Sequence, residues 1–338
     1  MKALQYFGPK DLRFVELPEP QITEDEVLMK VKKVGICGTD LHIYNGGMKV
    51  PTSQILGHEF VGDIVKIGSN VANIKVGDRA VAEHVVGCGK CPCCLQGKRN
   101  LCETPTVLGL NRPGALAEYI SIPSELVYKL SEEHSYDEGV LVEPLSIAVY
   151  AVRKSGMKVG DQVAVVGQGP IGLFVDLVAK ASGGTVFGFD KHDNRIAYAV
   201  SHEYIHKGFN ITQEDYMKKF REGVYEGADV VFEAVGSDTS AELAIELTRA
   251  GGKIEMLGVF EHNVMINMMD IVRRELQISG SWTCVFSFEE TMVLLKSQKI
   301  DVNQIITNRY SFTDAIKAFQ EASLDKGSRI KTVIEFAV

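Results

Sequence analysis

Basic residues are in short supply. Across 338 residues, 36 Lys and Arg stand against 44 Asp and Glu, a formal net charge of −8. No run of Lys and Arg interrupts that balance. The chain therefore has no general attraction for phosphate backbones or anionic lipid, and neither nucleic acid nor a membrane surface is an expected partner. Long apolar runs are missing too. The best candidate, Val163 to Ala179, is broken by three Gly, one Pro, Gln168 and Asp176, too polar to cross a bilayer. The first residues, Met1 to Tyr6, lack the apolar core of a secretory leader, so a cytoplasmic setting is expected. Tryptophan occurs once, as Trp282. What remains is globular in type: 45% hydrophobic, 24% charged and 8% aromatic, with length for about two domains.

Cysteine is sparse but uneven. Five of the seven crowd between Cys88 and Cys102, while Cys37 and Cys284 stand alone. An odd, clustered set without a leader points to metal rather than disulfides.

The first third reads as short strands and turns, with strands expected at Val27–Lys32 and Phe60–Val65. From about Pro144 the rhythm becomes helical, with Leu145, Ala148, Val149 and Val152 on one face and Gly156 as the stop. Strands and helices then alternate. Strands are expected at Gln162–Val166, Thr185–Asp190, Tyr204–Lys207, Ala228–Glu233, Lys253–Leu257 and Leu276–Gly280, and a helix at Asp238–Ala250. Six such strands predict an α/β fold with a parallel doubly wound sheet. Two helices, near Phe288–Ser297 and Thr313–Ala322, and a last strand at Arg329–Phe336 follow.

The first of those strands runs into Gly167-Gln168-Gly169-Pro170-Ile171-Gly172, the pattern G-x-G-x-x-G at a strand-to-helix junction. Gly167 permits a tight turn, Gly169 lets backbone approach a pyrophosphate, and Gly172 lets helix and strand pack closely. Pro170 and Ile171 open the helix, whose free N–H groups favour an anion. Asp190 ends the second strand 18 residues after Gly172. A carboxylate there accepts from ribose hydroxyls and repels a 2′-phosphate, so NAD is expected over NADP. Lys191 and Arg195 lie close by and temper that preference. Ligands bind beyond the carboxyl ends of such strands, so Val235, Gly258, Val259, Ser281 and Trp282 are expected to line the nicotinamide.

Cys88, Cys91, Cys94 and Cys102 follow C-x2-C-x2-C-x7-C. Four thiolates at about 2.3 Å close a tetrahedron around zinc, leaving no position for substrate. Iron–sulfur suits four thiolates as well. A nucleic-acid zinc ribbon is a further alternative, though its surroundings are not basic. Cys93 reads as a thiol between ligands.

Cys37 in Gly35-Ile36-Cys37-Gly38-Thr39-Asp40, His58-Glu59 in Gly57-His58-Glu59-Phe60-Val61-Gly62, and Glu143 before Pro144 have metal-ligand chemistry but no diagnostic spacing. The stretch Gly57-His58-Glu59-x-x-Gly62-x5-Gly68-x-x-Val71 resembles the zinc signature of medium-chain alcohol dehydrogenases. The knuckle, the glycine loop and the chain length are similar to that family over essentially the whole chain. Within it, Glu143-Pro144-Leu145-Ser146 resembles the sorbitol (polyol) branch. His42-Ile43-Tyr44-Asn45 and Asn111-Arg112-Pro113-Gly114 resemble the threonine dehydrogenase branch.

The resemblance implies a GroES-like β-rich catalytic domain over residues 1–146 and 286–338, and a Rossmann NAD domain over residues 147–285, with the active site in the cleft between. It implies two zinc ions per chain: a catalytic one held by Cys37, His58 and Glu59, with Glu143 as ligand or holding its water, and a structural one in the knuckle. Thr39 would take the alcohol proton and His42 would relay it outward. Asp40 would orient His58 or serve the turn. The implied reaction moves a hydride from the secondary alcohol of a polyol, sugar derivative or diol to NAD, reversibly. L-threonine 3-dehydrogenation is the alternative, and a non-enzymatic NAD- and zinc-binding protein the remote one. A homo-oligomer, tetramer or dimer, is implied. His84, in Glu83-His84 leading into the knuckle, is the unassigned histidine of most interest.

Overall fold

A computed structural model describes residues 1–224, 226–325 and 327–337. The chain divides into two compact units, Met1–Glu143 with Cys284–Val338, and Pro144–Thr283.

The first unit is built on a seven-stranded sheet. Its path runs Val127–Lys129, Arg79–Ala82, Glu59–Ile67, Glu26–Ile36, Lys331–Glu335, Ile306–Ser311, and Tyr119–Pro123 also pairs the long Glu26–Ile36 strand. That strand is central because its residues alternate or stay buried on both sides: Val27, Leu28, Met29, Val31 and Val34 are at most 1% exposed. Register places Gly35 opposite Glu59 on one flank and Val333 on the other. A three-stranded sheet of Asp11–Glu16, Lys2–Gly8 and Gln54–Ile55 lies in the same unit. Leu4, Phe60, Ile43 and Phe319 share its core, with Tyr44 against Phe319 at 5.6 Å between ring centres.

The second unit holds six parallel strands in the spatial order third, second, first, fourth, fifth, sixth: Lys207–Asn210, Thr185–Asp190, Gln162–Val166, Ala228–Glu233, Thr248–Met256 and Gln277–Gly280. That order is the doubly wound dinucleotide-binding arrangement. Four phenylalanines fill one end of its core. Phe189 stacks on Phe209 at 5.0 Å and meets Phe220 edge-on at 5.1 Å, while Phe187 meets Phe220 at 5.5 Å.

Two expectations are corrected. The third strand begins at Lys207 rather than Tyr204. Tyr204 and Ile205 are buried by packing under a turn, which their apolar character alone made strand-like. The helix expected from Pro144 starts at Tyr136 and runs to Ser155, with Pro144 inside it. Proline removes one N–H from the ladder, but Val140, Leu141, Val142 and Leu145 are 0% exposed, and their burial carries the helix through the interruption. No helix among the described residues is long and apolar enough to cross a membrane.

The aromatic cluster predicts its own cost of removal. Phe189, 0% exposed, replaced by Ala should lower stability by about 3–5 kcal/mol, read as a lower denaturant midpoint for the second unit. A change below about 1 kcal/mol would mean the cluster collapses without penalty.

Candidate metal centres and dinucleotide loop

Cys88, Cys91, Cys94 and Cys102 bring their sulfurs within 4.8 Å of one another. Cys88 to Cys94 and Cys91 to Cys102 are both 4.0 Å between sulfurs. A zinc–thiolate tetrahedron has edges of about 3.8 Å, so the set fits zinc closely. Backbone amides already point at the sulfurs: Cys91 N–H donates to Cys88 at 3.3 Å, Cys94 N–H to Cys91 at 3.5 Å, and Thr104 N–H to Cys102 at 3.4 Å. Amides of Lys90 and Cys91 pull the Cys88 thiol down to about 6. Cys93 is not in the cluster. The lobe is tied to the rest of its unit by Glu83, 1% exposed, which accepts from Arg99 Nε and from Tyr128 Oη, each at 2.8 Å.

The second set is Cys37, His58 and Glu59, whose donor atoms also lie within 4.8 Å of one another. The sheet explains this convergence. Cys37 follows the end of the Glu26–Ile36 strand and opens the helix Gly38–Tyr44, while Glu59 begins the neighbouring strand. Asp40, 0% exposed, ties the two stretches together. Its carboxylate accepts from Cys37 N–H at 2.9 Å and Gly57 N–H at 3.2 Å. His58 Nδ1 is 3.8 Å from it, beyond hydrogen-bond range, so Asp40 fixes the backbone at Cys37 and Gly57 rather than gripping the imidazole.

Glu143 stands outside that three-residue cluster. It is 3% exposed, and its Oε1 lies 3.1 Å from His84 Nδ1. Burial pushes the carboxyl up, but the His84 imidazole, with His58 and Lys331 beyond it, holds it below the usual range. His84 also faces His58, with ring centres 5.2 Å apart.

Sequence reasoning left out Lys331. Its ammonium, 2% exposed, pairs with Glu59 Oε2 and donates to Ile36 O at 3.3 Å. It reaches across the central strand only because residue 35 is glycine: a Cβ there would overlap Glu59 Oε2 and sit 3.1 Å from Lys331 Cε. The signal was a lysine heading an otherwise buried strand, Lys331-Thr332-Val333-Ile334, and a glycine inside Val34-Gly35-Ile36. Burial pushes Glu59 up, and the lysine beside it opposes that. Burial with Glu59 nearby likewise raises the Cys37 thiol. The donor set thus combines one thiol, one imidazole and one carboxylate, with the Lys331 ammonium paired to that carboxylate, while buried His58 Nδ1 has no hydrogen-bond partner. Sulfur, imidazole and carboxylate donors brought together in this way suit a divalent zinc ion.

Thr39 and His42 lie on the helix Gly38–Tyr44, three residues apart and so on one face. Thr39 is half-buried and His42 exposed.

In the second unit the glycine loop is shaped as the motif demands. Gly167 has φ +97°, and its N–H donates to Phe189 O at 2.7 Å. A Cβ on Gly172 would overlap Gly167 O. Gly169 caps the helix, Pro170 is its first residue, and Ile171 follows. Asp190, 6% exposed, accepts from Gln168 N–H at 2.8 Å and His192 N–H at 2.9 Å, with Arg195 Nη1 3.8 Å away. Its oxygens are held in place by the loop itself. Val235, Gly258, Val259, Ser281 and Trp282 all lie just beyond the carboxyl ends of strands. Gly258 packs so tightly on Gly236 N that no side chain fits. Val235 and Trp282 are 51% and 57% exposed, and Ser281 is buried.

Residues 23–132 match the alcohol dehydrogenase GroES-like domain family, and residues 170–297 match the zinc-binding dehydrogenase family. Sorbitol dehydrogenase of Bacillus subtilis (strain 168) is 33% identical, over 99% of this chain and 97% of its own. L-threonine 3-dehydrogenase of Bacillus licheniformis is 36% identical, over 95% of each. The crystal structure of 2R,3R-butanediol dehydrogenase from Bacillus subtilis superposes with a TM-score of 0.91 at 33% identity, over 99% of each chain. With both family matches and full-length relatives agreeing, the chain belongs to the zinc-dependent medium-chain alcohol dehydrogenases.

Proposed function

We propose that this protein oxidises the secondary alcohol of a polyol, sugar derivative or diol, with NAD as hydride acceptor, and runs in reverse as a ketone reductase. The observation that carries this reading is the convergence of Cys37, His58 and Glu59 within 4.8 Å beside a second buried carboxylate, Glu143. Zinc bound there supplies Lewis acidity toward the carbinol oxygen, which makes its proton easier to remove.

The chain's own groups do the rest. Cys37, His58 and Glu59 hold the metal. Lys331 grips one oxygen of Glu59 and so limits how far that carboxylate can turn toward the metal. His84 fixes the orientation of Glu143. Thr39 takes the alcohol proton, and His42, one helical turn on and exposed, passes it to solvent. The knuckle cysteines hold a second zinc that serves folding alone. Gly167, Gly169 and Gly172 admit the pyrophosphate against the helix opened by Pro170 and Ile171, and Asp190 takes the adenosine ribose.

A threonine reading draws on the relative at 36% identity. A panel of polyols, sugar derivatives, 2,3-diols and L-threonine, followed by NADH formation, separates the two. Turnover of threonine alone would replace the polyol reading, and turnover of no member would end both.

Replacing Cys37 by Ala should halve zinc content and abolish turnover while leaving the melting temperature close to wild type. Cys94→Ala should also halve zinc but lower the melting temperature markedly, because structural metal contributes folding free energy. Metal analysis with thermal unfolding checks both, and equal melting losses would contradict the division of roles.

Lys331→Met leaves Glu59 buried without its cation. Breaking such a pair costs about 3–5 kcal/mol, so the zinc-free variant should be destabilised by that order. Added zinc should restore much of it, because the metal then becomes the partner of Glu59. Denaturant unfolding with and without zinc reads this directly. A zinc-free variant as stable as wild type would show the pair to be idle.

Asp190→Ala removes the carboxylate that repels a 2′-phosphate. The ratio of kcat/KM for NADP over NAD should rise about tenfold or more. An unchanged ratio would remove Asp190 from the cofactor site.

A further inference from the structure

The second unit buries a glutamate to which the reaction gives no role. Glu233 ends the fourth strand, Ala228–Glu233, and is 0% exposed. That strand lies beside the first, Gln162–Val166, whose other neighbour is the second. The strand order therefore reverses between the first and fourth strands, and the crevice for a ligand opens beyond the carboxyl ends at such a point. Glu233 turns its side chain back on the residues that follow it there. Its Oε1 accepts from Val235 N–H and from Gly236 N–H, each at 2.8 Å. Its backbone carbonyl accepts from the loop after the fifth strand, from Leu257 N–H at 2.8 Å and Gly258 N–H at 3.1 Å. One residue thereby holds both strand-end loops.

Two glycines let the loops interlock. A Cβ on Gly258 would overlap Gly236 N and stand 2.5 Å from Glu233 Oε2, and one on Gly236, at φ +84°, would overlap Val259 O. The clasp reaches the dinucleotide turn as well. Ala234 N–H donates to Val166 O at 2.9 Å, and Val235 Cγ2 then lies 2.5 Å from where a Cβ on Gly167 would stand. Val235 covers the first glycine of that turn while staying 51% exposed. The turn beneath is held from its other side, by Gly167 N–H to Phe189 O at 2.7 Å and Gln168 N–H to Asp190 at 2.8 Å. Glu233 Oε2, pressed on Gly258, is buried without a hydrogen-bond partner among the described residues. An orphan of that kind costs stability, which argues for a role beyond packing.

We propose that Glu233 is a positioning residue for the nicotinamide half of the cofactor: its carboxyl group and carbonyl clasp the two strand-end loops so that Val235, Gly258 and Val259 form one lining. The adenosine half, carried by the glycine turn and Asp190, does not depend on it. The inference rests on these loops lining the nicotinamide, as in the function proposed above.

The test titrates the full-length zinc-loaded protein and its Glu233→Ala, Glu233→Asp and Glu233→Gln variants with NADH and with ADP-ribose, which lacks the nicotinamide. Glu233→Ala leaves the amides of Val235 and Gly236 without their acceptor. It should bind NADH about tenfold more weakly, yet hold ADP-ribose within about twofold of wild type. Glu233→Gln keeps an acceptor oxygen and should bind NADH within about twofold of wild type. Glu233→Asp, one methylene too short to reach both amides, should fall between the two and keep its ADP-ribose affinity. Equal losses for the two nucleotides in Glu233→Ala would show the residue serving the fold of its unit and would overturn the proposal. Wild-type NADH affinity in Glu233→Ala overturns it too, and so does a Glu233→Gln variant as weak as Glu233→Ala. Should Glu233→Ala not fold, Glu233→Asp decides by the same pair of titrations. A wild type that binds neither nucleotide would overturn the proposed function and the clasp with it, whereas a wild type that binds both, with equal losses in the variants, overturns the clasp alone.

Discussion

Lys331 and Glu59, both 2% exposed at their side chains, meet across a strand that stands between them. Burying charge in protein is tolerable only with a partner and good geometry, and this pair sets the terms for its surroundings. Gly35 must be glycine because the two side chains pass over it. The last strand, Lys331–Glu335, must lie antiparallel to Glu26–Ile36 in the register Thr332 opposite Ile36 to present its lysine there. Cys37 and Glu143 add further acidic groups to the same interior. The donor chemistry of this site suits a divalent ion, and Lys331 brings a buried positive charge to Glu59.

Around that pair, each acidic side chain has its own anchor. Asp40 is held by two backbone amides, Glu59 by Lys331, and Glu143 by His84. These contacts come from different elements, so the chain itself orients the three carboxylates. The knuckle works by different means. Its sulfurs sit within fifteen residues of chain and are oriented by their own backbone amides. One candidate centre is assembled by the sheet, the other by local turns.

The two units also differ in how legible they were. The knuckle and the glycine loop could be read from spacing, because their geometry is made by neighbours in sequence. Gly172 against Gly167 O and the amides on Cys88 are contacts within a few residues. The parallel strands were legible for a similar reason, being short apolar runs between turns. Legibility failed where burial overrode local preference. Pro144 lies inside a helix held by packing on both sides, and Tyr204 and Ile205 are apolar without being strand.

By itself the sequence determined which chemistry was on offer: thiols at knuckle spacing, a glycine turn ending in an acid, and Cys37, His58, Glu59 and Glu143 tied together only by family likeness. Tertiary structure alone decided who holds whom. Lys331 is 272 positions from Glu59, and His84 is 59 from Glu143, distances over which no periodicity carries information. Those pairings depend on strand order and register, which are set by the burial of the whole sheet rather than by any segment of it.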